Sequence, residues 1–228
     1  MKRKKQFVEE RILINDLSSY AGEAYQKLQV NVDLANVDHK YKVIGVTSSL
    51  KSEGKSTTLV NLANIYAKKG KKVIICDFDL RRPSIHFYFR KPNENGLVDF
   101  FMGDISKEEL IKHSSEGIDF INRGKSTPFP AEVLESPKLK SVIESLKEKY
   151  DYIFIDCPPI LVAADTTLIS KYLDGMIVVV KTNYATKDMV AETFRALKDS
   201  KISVIGCVMT DVPTKNGRYY GYYEGYYE

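Results

Sequence analysis

Eight residues, Ser49-Leu-Lys-Ser-Glu-Gly-Lys-Ser56, follow a β-branched run ending at Thr47 and lead straight into a helical pattern that starts at Lys55. Strand, loop and helix in that order leave few architectures open, because the loop must curl at the mouth of a sheet. The segment fits the phosphate-loop pattern, with serine in place of its first glycine. Gly54 lets the backbone approach closely, Lys55 reaches the β/γ-phosphates, and Ser56 offers a hydroxyl to Mg²⁺. Ser49, Ser52, Glu53, Gly54, Lys55, Ser56 and Thr57 are therefore the expected contacts of ATP. The alternative is a chance match in a lysine-rich chain; the strand before the loop and the Gly-Lys-Ser-Thr core weigh against it.

Elsewhere, short β-branched runs alternate with longer helical patterns. Residues 41–47, 72–76, 117–121, 152–155, 175–181 and 204–209 read as strands. Several are apolar without alternation, as strands covered on both faces should be. Residues 55–68, 132–149, 165–173 and 187–200 read as helices. The pattern predicts an α/β fold, a P-loop nucleotide-binding domain with a mainly parallel sheet and helices on both faces. A further helix over 17–34, with Leu28, Val32 and Ala35 among its apolar positions, has either this domain or a neighbour to pack on. The expected organisation is an N-terminal helical segment at 1–40, the P-loop domain at 41–212 and a flexible tail at 213–228.

A chain of 228 residues holds one such domain with a substantial core and little more. Its net charge of +4 is too mild to call for nucleic acid as a partner. The one local concentration, Lys2-Arg3-Lys4-Lys5, reads as a solvated terminus, with weak attraction to anionic lipid as the alternative. No apolar run approaches bilayer length, and residues 6–10 are not the apolar stretch of a secretory signal. Cys76, Cys157 and Cys207 form no CxxC pair and read as reduced thiols of a cytoplasmic protein. His39, His86 and His113 stand far apart, which argues against a metal held by protein ligands alone.

Two acidic sites stand where a nucleotide-bound metal would need them. Asp77 and Asp79 follow the apolar run 73–76, and Asp156 follows 152–155, each beyond the carboxyl end of an expected buried strand. Such carboxylates hold Mg²⁺ directly or through water, and one can accept the proton of an attacking hydroxyl. The bland alternative is that each aspartate caps a loop or the following helix. The last ten residues carry the cluster Tyr219, Tyr220, Tyr222, Tyr223, Tyr226 and Tyr227, six of the chain's fifteen tyrosines. This stretch has no aliphatic residues with which to build a core, so it reads as disordered. Fully extended, residues 210–228 would reach ~60 Å, far enough for a neighbour's site. Glu224 and Glu228 would help a basic rim recognise it. An adhesive terminus or a partner-binding motif is the alternative.

These motifs resemble those of a known family, the cytosolic tyrosine kinases of Gram-positive bacteria that control capsule and exopolysaccharide production. The resemblance rests on the phosphate loop, Asp77-x-Asp79-x-Arg81, Ile155-Asp156-x-Pro158-Pro159, Pro128-x-Pro130-x-Glu132-x-Leu134 and the terminal tyrosines. It implies that Lys55, Asp77, Asp79 and Arg81 are catalytic, and that Ser56, Asp77 and Asp156 serve the metal. It also implies that the tail tyrosines are phosphorylated in trans by other copies of the chain. The partners it implies are a membrane-embedded activator, which would recruit this cytoplasmic chain to the inner face of the plasma membrane, and protein substrates in polysaccharide synthesis. The sequence does not separate Asp77 from Asp79 as the base.

The chain departs from that pattern in four places. Gln26 and Gln29 stand where some members carry the arginines that join subunits into a ring, and glutamine cannot form the arginine–carboxylate fork. Lys51-Ser52 replaces Pro-Gly in the loop, Cys157 replaces threonine beside Asp156, and Thr210-Asp211 replaces Asn-Lys after the last strand. Two other functions fit the same residues. One is a switch ATPase of the cell-division or partitioning type, although Leu50 stands where such proteins carry a second lysine. The other is an ATP-sensing scaffold for polysaccharide assembly.

Overall fold

Every residue of β1 (Val43–Ser48) and β2 (Val73–Asp77) is buried, so successive side chains must find partners on opposite sides of the sheet. The computed structural model, which describes residues 16–38 and 40–213, shows that division. Val43, Ile74, Ile153 and Val178 enter one apolar core, and Ile44, Ile75, Phe154 and Ile177 enter the other. The remaining strands are β3 (Lys112–His113), β4 (Asp119–Ile121), β5 (Tyr152–Asp156), β6 (Gly175–Lys181) and β7 (Val204–Thr210). The order across the sheet is β3-β4-β2-β5-β1-β6-β7, parallel throughout except for the antiparallel β3–β4 pair. The carboxyl ends of β2, β5 and β1 therefore lie side by side, where ligands of open α/β sheets gather.

The helices are α1 (Tyr20–Ala35), α2 (Lys55–Lys68), α3 (Ile85–Tyr88), α4 (Leu97–Met102), α5 (Lys107–Leu110), α6 (Pro130–Glu135), α7 (Pro137–Lys149), α8 (Asp165–Ile169) and α9 (Lys187–Asp199). Residues of α1, α2 and α3 pack into one core, and residues of α4 to α9 into the other. The predicted helix over 132–149 is broken. Pro137 has no N–H to continue it and holds Ser136 extended at φ −60° and ψ 135°, where the Ser136 hydroxyl caps α7 through Lys138 N–H at 3.2 Å. The predicted helix over 165–173 ends at Ile169 and finishes as a 3₁₀ turn, Ser170–Tyr172. The strand at 204–209 forms as expected, but β7 lies at the sheet edge, where most of its residues are exposed or half-buried.

α1 docks on its own domain. Val32 is buried and Leu28 packs beside it, whereas Ala35 faces out. Tyr66 of α2 donates its hydroxyl to Asp33 at 2.7 Å. Gln29 is 2% exposed, donates to Asp33 and accepts from Lys69, so this departure from the ring pattern serves the chain's own fold. Gln26 donates to the Leu17 carbonyl at 2.8 Å. No helix among the described residues is long and apolar enough to cross a membrane. The basic start at 2–5, His39, and the tail with its six tyrosines (residues 214–228) lie outside the described residues.

Candidate active site

Beyond Ser48 the chain turns through Ser52 at φ 63° and Gly54 at φ 94° before α2 begins. A side chain at Gly54 would be strained by that φ and would press on the Thr210 methyl at 3.3 Å. Gly54 also caps α2 without a side chain, which leaves the first-turn N–H groups to meet an anion. Glu53 is buried, and its carboxylate accepts from Leu50 N–H at 2.5 Å and Lys181 N–H at 2.9 Å. This strut ties the loop to the end of β6. Thr210 donates to the Glu53 carbonyl at 2.7 Å, and Thr193 donates to the buried Ser49 at 2.8 Å. Glu53 and Ser49 thus shape the loop with their side chains, while Ser52, Gly54 and Thr57 line open space.

Lys55 sits in a ring of acid. Its Nζ lies 3.0 Å from Asp156 Oδ1 and 3.1 Å from Asp79 Oδ2. Ser56 donates to Asp156 Oδ2 at 2.6 Å. Burial opposes the Lys55 charge, but Asp156, Asp79 and Asp77 hold its pKa above the ordinary lysine value. Burial pushes the Asp77 carboxyl up to about 8, with the Asp156 charge acting in the same direction. Asp156 is raised too, chiefly by burial, although Lys55 and Ser56 pull it down. Asp77 Oδ2 accepts from Ser84 and Ile85 N–H at 2.8 and 3.0 Å, and its buried Oδ1 has no partner. Ser56 Oγ, the Asp156 carboxylate that it meets and the unpartnered Asp77 Oδ1 are oxygen donors of the kind a hard divalent cation takes alongside phosphate oxygens, whereas no group of three His, Cys, Asp or Glu among the described residues is placed to hold a metal by itself.

Two cavities flank the loop. One, of about 580 Å³, opens toward the ends of β2 and β5 and is lined by Lys55, Ser56, Asp79, Arg81, Arg82 and Tyr88 among others. The other, of about 550 Å³, lies between the loop, α1 and the end of β7, with Tyr20, Tyr25, Lys181, Asp211 and Val212 on its wall. The structure therefore brings Lys55, Ser56, Asp79 and Arg81 to one space. Asp77 and Asp156, both fully buried, sit behind that wall. Sequence reasoning missed Asp165, which accepts a bidentate pair from Arg81 at 2.7 and 3.1 Å across 84 residues. It also missed Tyr88, whose hydroxyl lies 2.7 Å from Thr57 Oγ1. No local motif marks either one. Cys76 and Cys157 are buried free thiols raised by burial, and Cys207 is free and exposed.

The chain is similar to known proteins in sequence and in fold. The AAA domain family matches residues 41–204. Tyrosine-protein kinase YwqD of Bacillus subtilis (strain 168) is 33% identical over 213 residues, covering 93% of this chain and 90% of that protein. Tyrosine-protein kinase ptk of Acinetobacter johnsonii is 30% identical over 91% of this chain, which spans only 28% of that longer kinase. The crystal structure of the chimeric protein CapA2B2 superposes with a TM-score of 0.82 at 28% identity, covering 86% of this chain and 87% of that one. The septum site-determining protein MinD of Pyrococcus horikoshii OT3, complexed with Mg-ADP, superposes at 0.63 with 25% identity, covering 74% of this chain and 69% of that one.

Proposed function

This chain belongs to the bacterial tyrosine-protein kinases, and we propose that its phosphate donor is ATP and its own tyrosine cluster an acceptor. Tyr219, Tyr220, Tyr222, Tyr223, Tyr226 and Tyr227 would receive the γ-phosphoryl group in trans, from a neighbouring copy. Through that cycle, together with protein substrates, the kinase would govern capsular or exopolysaccharide assembly. A membrane-embedded activator would bring it to the inner face of the plasma membrane. One observation carries the reading: Lys55 is held between Asp79 and Asp156 at the start of a helix that no side chain caps.

Each residue then has a task. The N–H groups of the loop and of the first turn of α2 bind and orient the β- and γ-phosphates, and Lys55 neutralises charge as the bond to ADP lengthens. Magnesium, held by Ser56 and Asp156 with Asp77 behind them, would supply further neutralisation on the phosphates. A free phenol has a pKa near ~10 and stays neutral at pH 7, so it needs a base. Asp79 is favoured over Asp77 for that task, because Asp79 lines the cavity and Asp77 does not. Arg81, anchored by Asp165, presents a fixed positive charge to the group in transfer. The cavity beside β7 takes the nucleoside.

Intact-mass analysis after Mg-ATP treatment, with and without the cytosolic segment of a candidate membrane activator, tests the proposal. The tail should gain several phosphates, and Lys55→Met should gain none. An activated chain that never gains phosphate at those tyrosines overturns it.

A further inference from the structure

Among the described residues lining the cavity toward β2 are Lys51, Lys55, Arg81, Arg82 and Lys181. Lys55 is taken by Asp79 and Asp156, Arg81 by Asp165, and Lys181 by Asp211 at 2.7 Å. Lys51 belongs to the phosphate loop. Arg82 remains. It is exposed, and no described residue hydrogen-bonds or ion-pairs with its guanidinium. Its backbone is nevertheless fixed, because Arg82 N–H donates to Asp79 Oδ1 at 3.0 Å and approaches the Asp79 carbonyl at 3.1 Å. Pro83 follows and restricts the turn further. A rigid turn thus carries an uncommitted guanidinium beside the aspartate assigned to the acceptor proton. A planar fork of donors in that position suits a carboxylate better than any other protein group.

The acceptor segment repeats a matching unit. Gly221-Tyr222-Tyr223-Glu224 recurs as Gly225-Tyr226-Tyr227-Glu228, each tyrosine pair closing on one glutamate. We propose that Arg82 is a specificity-determining residue that pairs with this carboxylate, so that the site selects tyrosines with an acidic residue one or two places C-terminal. The inference rests on the tail being an acceptor, and it deepens that reading by naming the peptide class. It orders the tail as well. Tyr222, Tyr223, Tyr226 and Tyr227 have such a glutamate, Tyr219 and Tyr220 do not, and the first four fill sooner.

The test supplies the full-length chain, Mg-ATP and the activator segment with two synthetic octapeptides. One reproduces residues 221–228, and the other carries glutamine for both glutamates. The glutamate peptide should have a kcat/KM about fivefold higher, expressed in KM and fading as salt rises. Arg82→Gln should bring the two peptides level, Arg82→Lys should keep part of the preference, and Arg82→Glu should favour a peptide with lysine in place of glutamate. Affinity for Mg-ADP should not change in any of them. Equal use of both peptides by the unaltered chain, or an undiminished preference in Arg82→Gln, overturns the assignment while leaving the tail-kinase reading intact. Labelling of neither peptide overturns both.

Discussion

Lys55 meets Asp156 at 3.0 Å and Asp79 at 3.1 Å, so a triphosphate arriving as proposed would exchange carboxylate for phosphate around a charge that is already desolvated. Asp77 bears the strain of that arrangement. Its carboxyl rises from 3.8 to about 8, chiefly through burial. Between about pH 4 and pH 8 the folded chain therefore holds a proton that the unfolded chain has released. Stability without metal and nucleotide should be greatest at the acidic end of that window and should fall as pH rises through 8. Asp77→Asn keeps an acceptor for the Ser84 and Ile85 N–H groups and has no proton to lose. Thermal unfolding in a chelator should show it melting about 2–4 °C above the parent near pH 8.5. The gap should close toward pH 5, and a constant gap would count against the account. At this scale Gly54, Lys55 and Ser56 were legible in the sequence, through their spacing and through the strand before and the helix after them. The sequence could not declare Asp165 or the Glu53 strut, because Arg81 lies 84 residues and Lys181 128 residues from those partners. Only the folded sheet brings them together.

α2 runs over Lys55–Lys68, as its sequence pattern predicts, because a helix of 14 residues, 11 of them buried, offers nearly four turns of signal. The short helices α3, α4 and α5 carry four to six residues each, too few to show a period, and β3 has only two. They were illegible for that reason. Residues 132–149 misled in the opposite sense, since their apolar spacing continues across the Ser136–Pro137 break. α1 was legible as a helix but not as a docked one. Its seat depends on Asp33, which satisfies the hydroxyl of the almost fully buried Tyr66. Asp33→Ala should strand that hydroxyl and the Gln29 amide, destabilising the chain by about 1–3 kcal/mol. Urea unfolding would show the midpoint shift, and an unchanged midpoint would mean that the polar seat contributes nothing.

The whole molecule carries a formal charge of +4, and each phosphotyrosine would add about −1.5 to −2. Three such groups already reverse the sign. A phosphorylated tail seated in a neighbour's cavity would then be repelled by the Asp79 carboxylate on its wall, so modified copies should separate. Sedimentation of untreated and Mg-ATP-treated protein should show a shift to smaller species, and identical distributions would contradict it. The phosphate loop, with open space on either flank, has a kinetic consequence as well. With the two cavities used as proposed, nucleoside and peptide would reach the reaction from opposite doors of one partition, and neither would have to queue behind the other. Initial-rate plots should therefore follow random-order addition, and a spent nucleotide would be replaced while the next tyrosine waits in place.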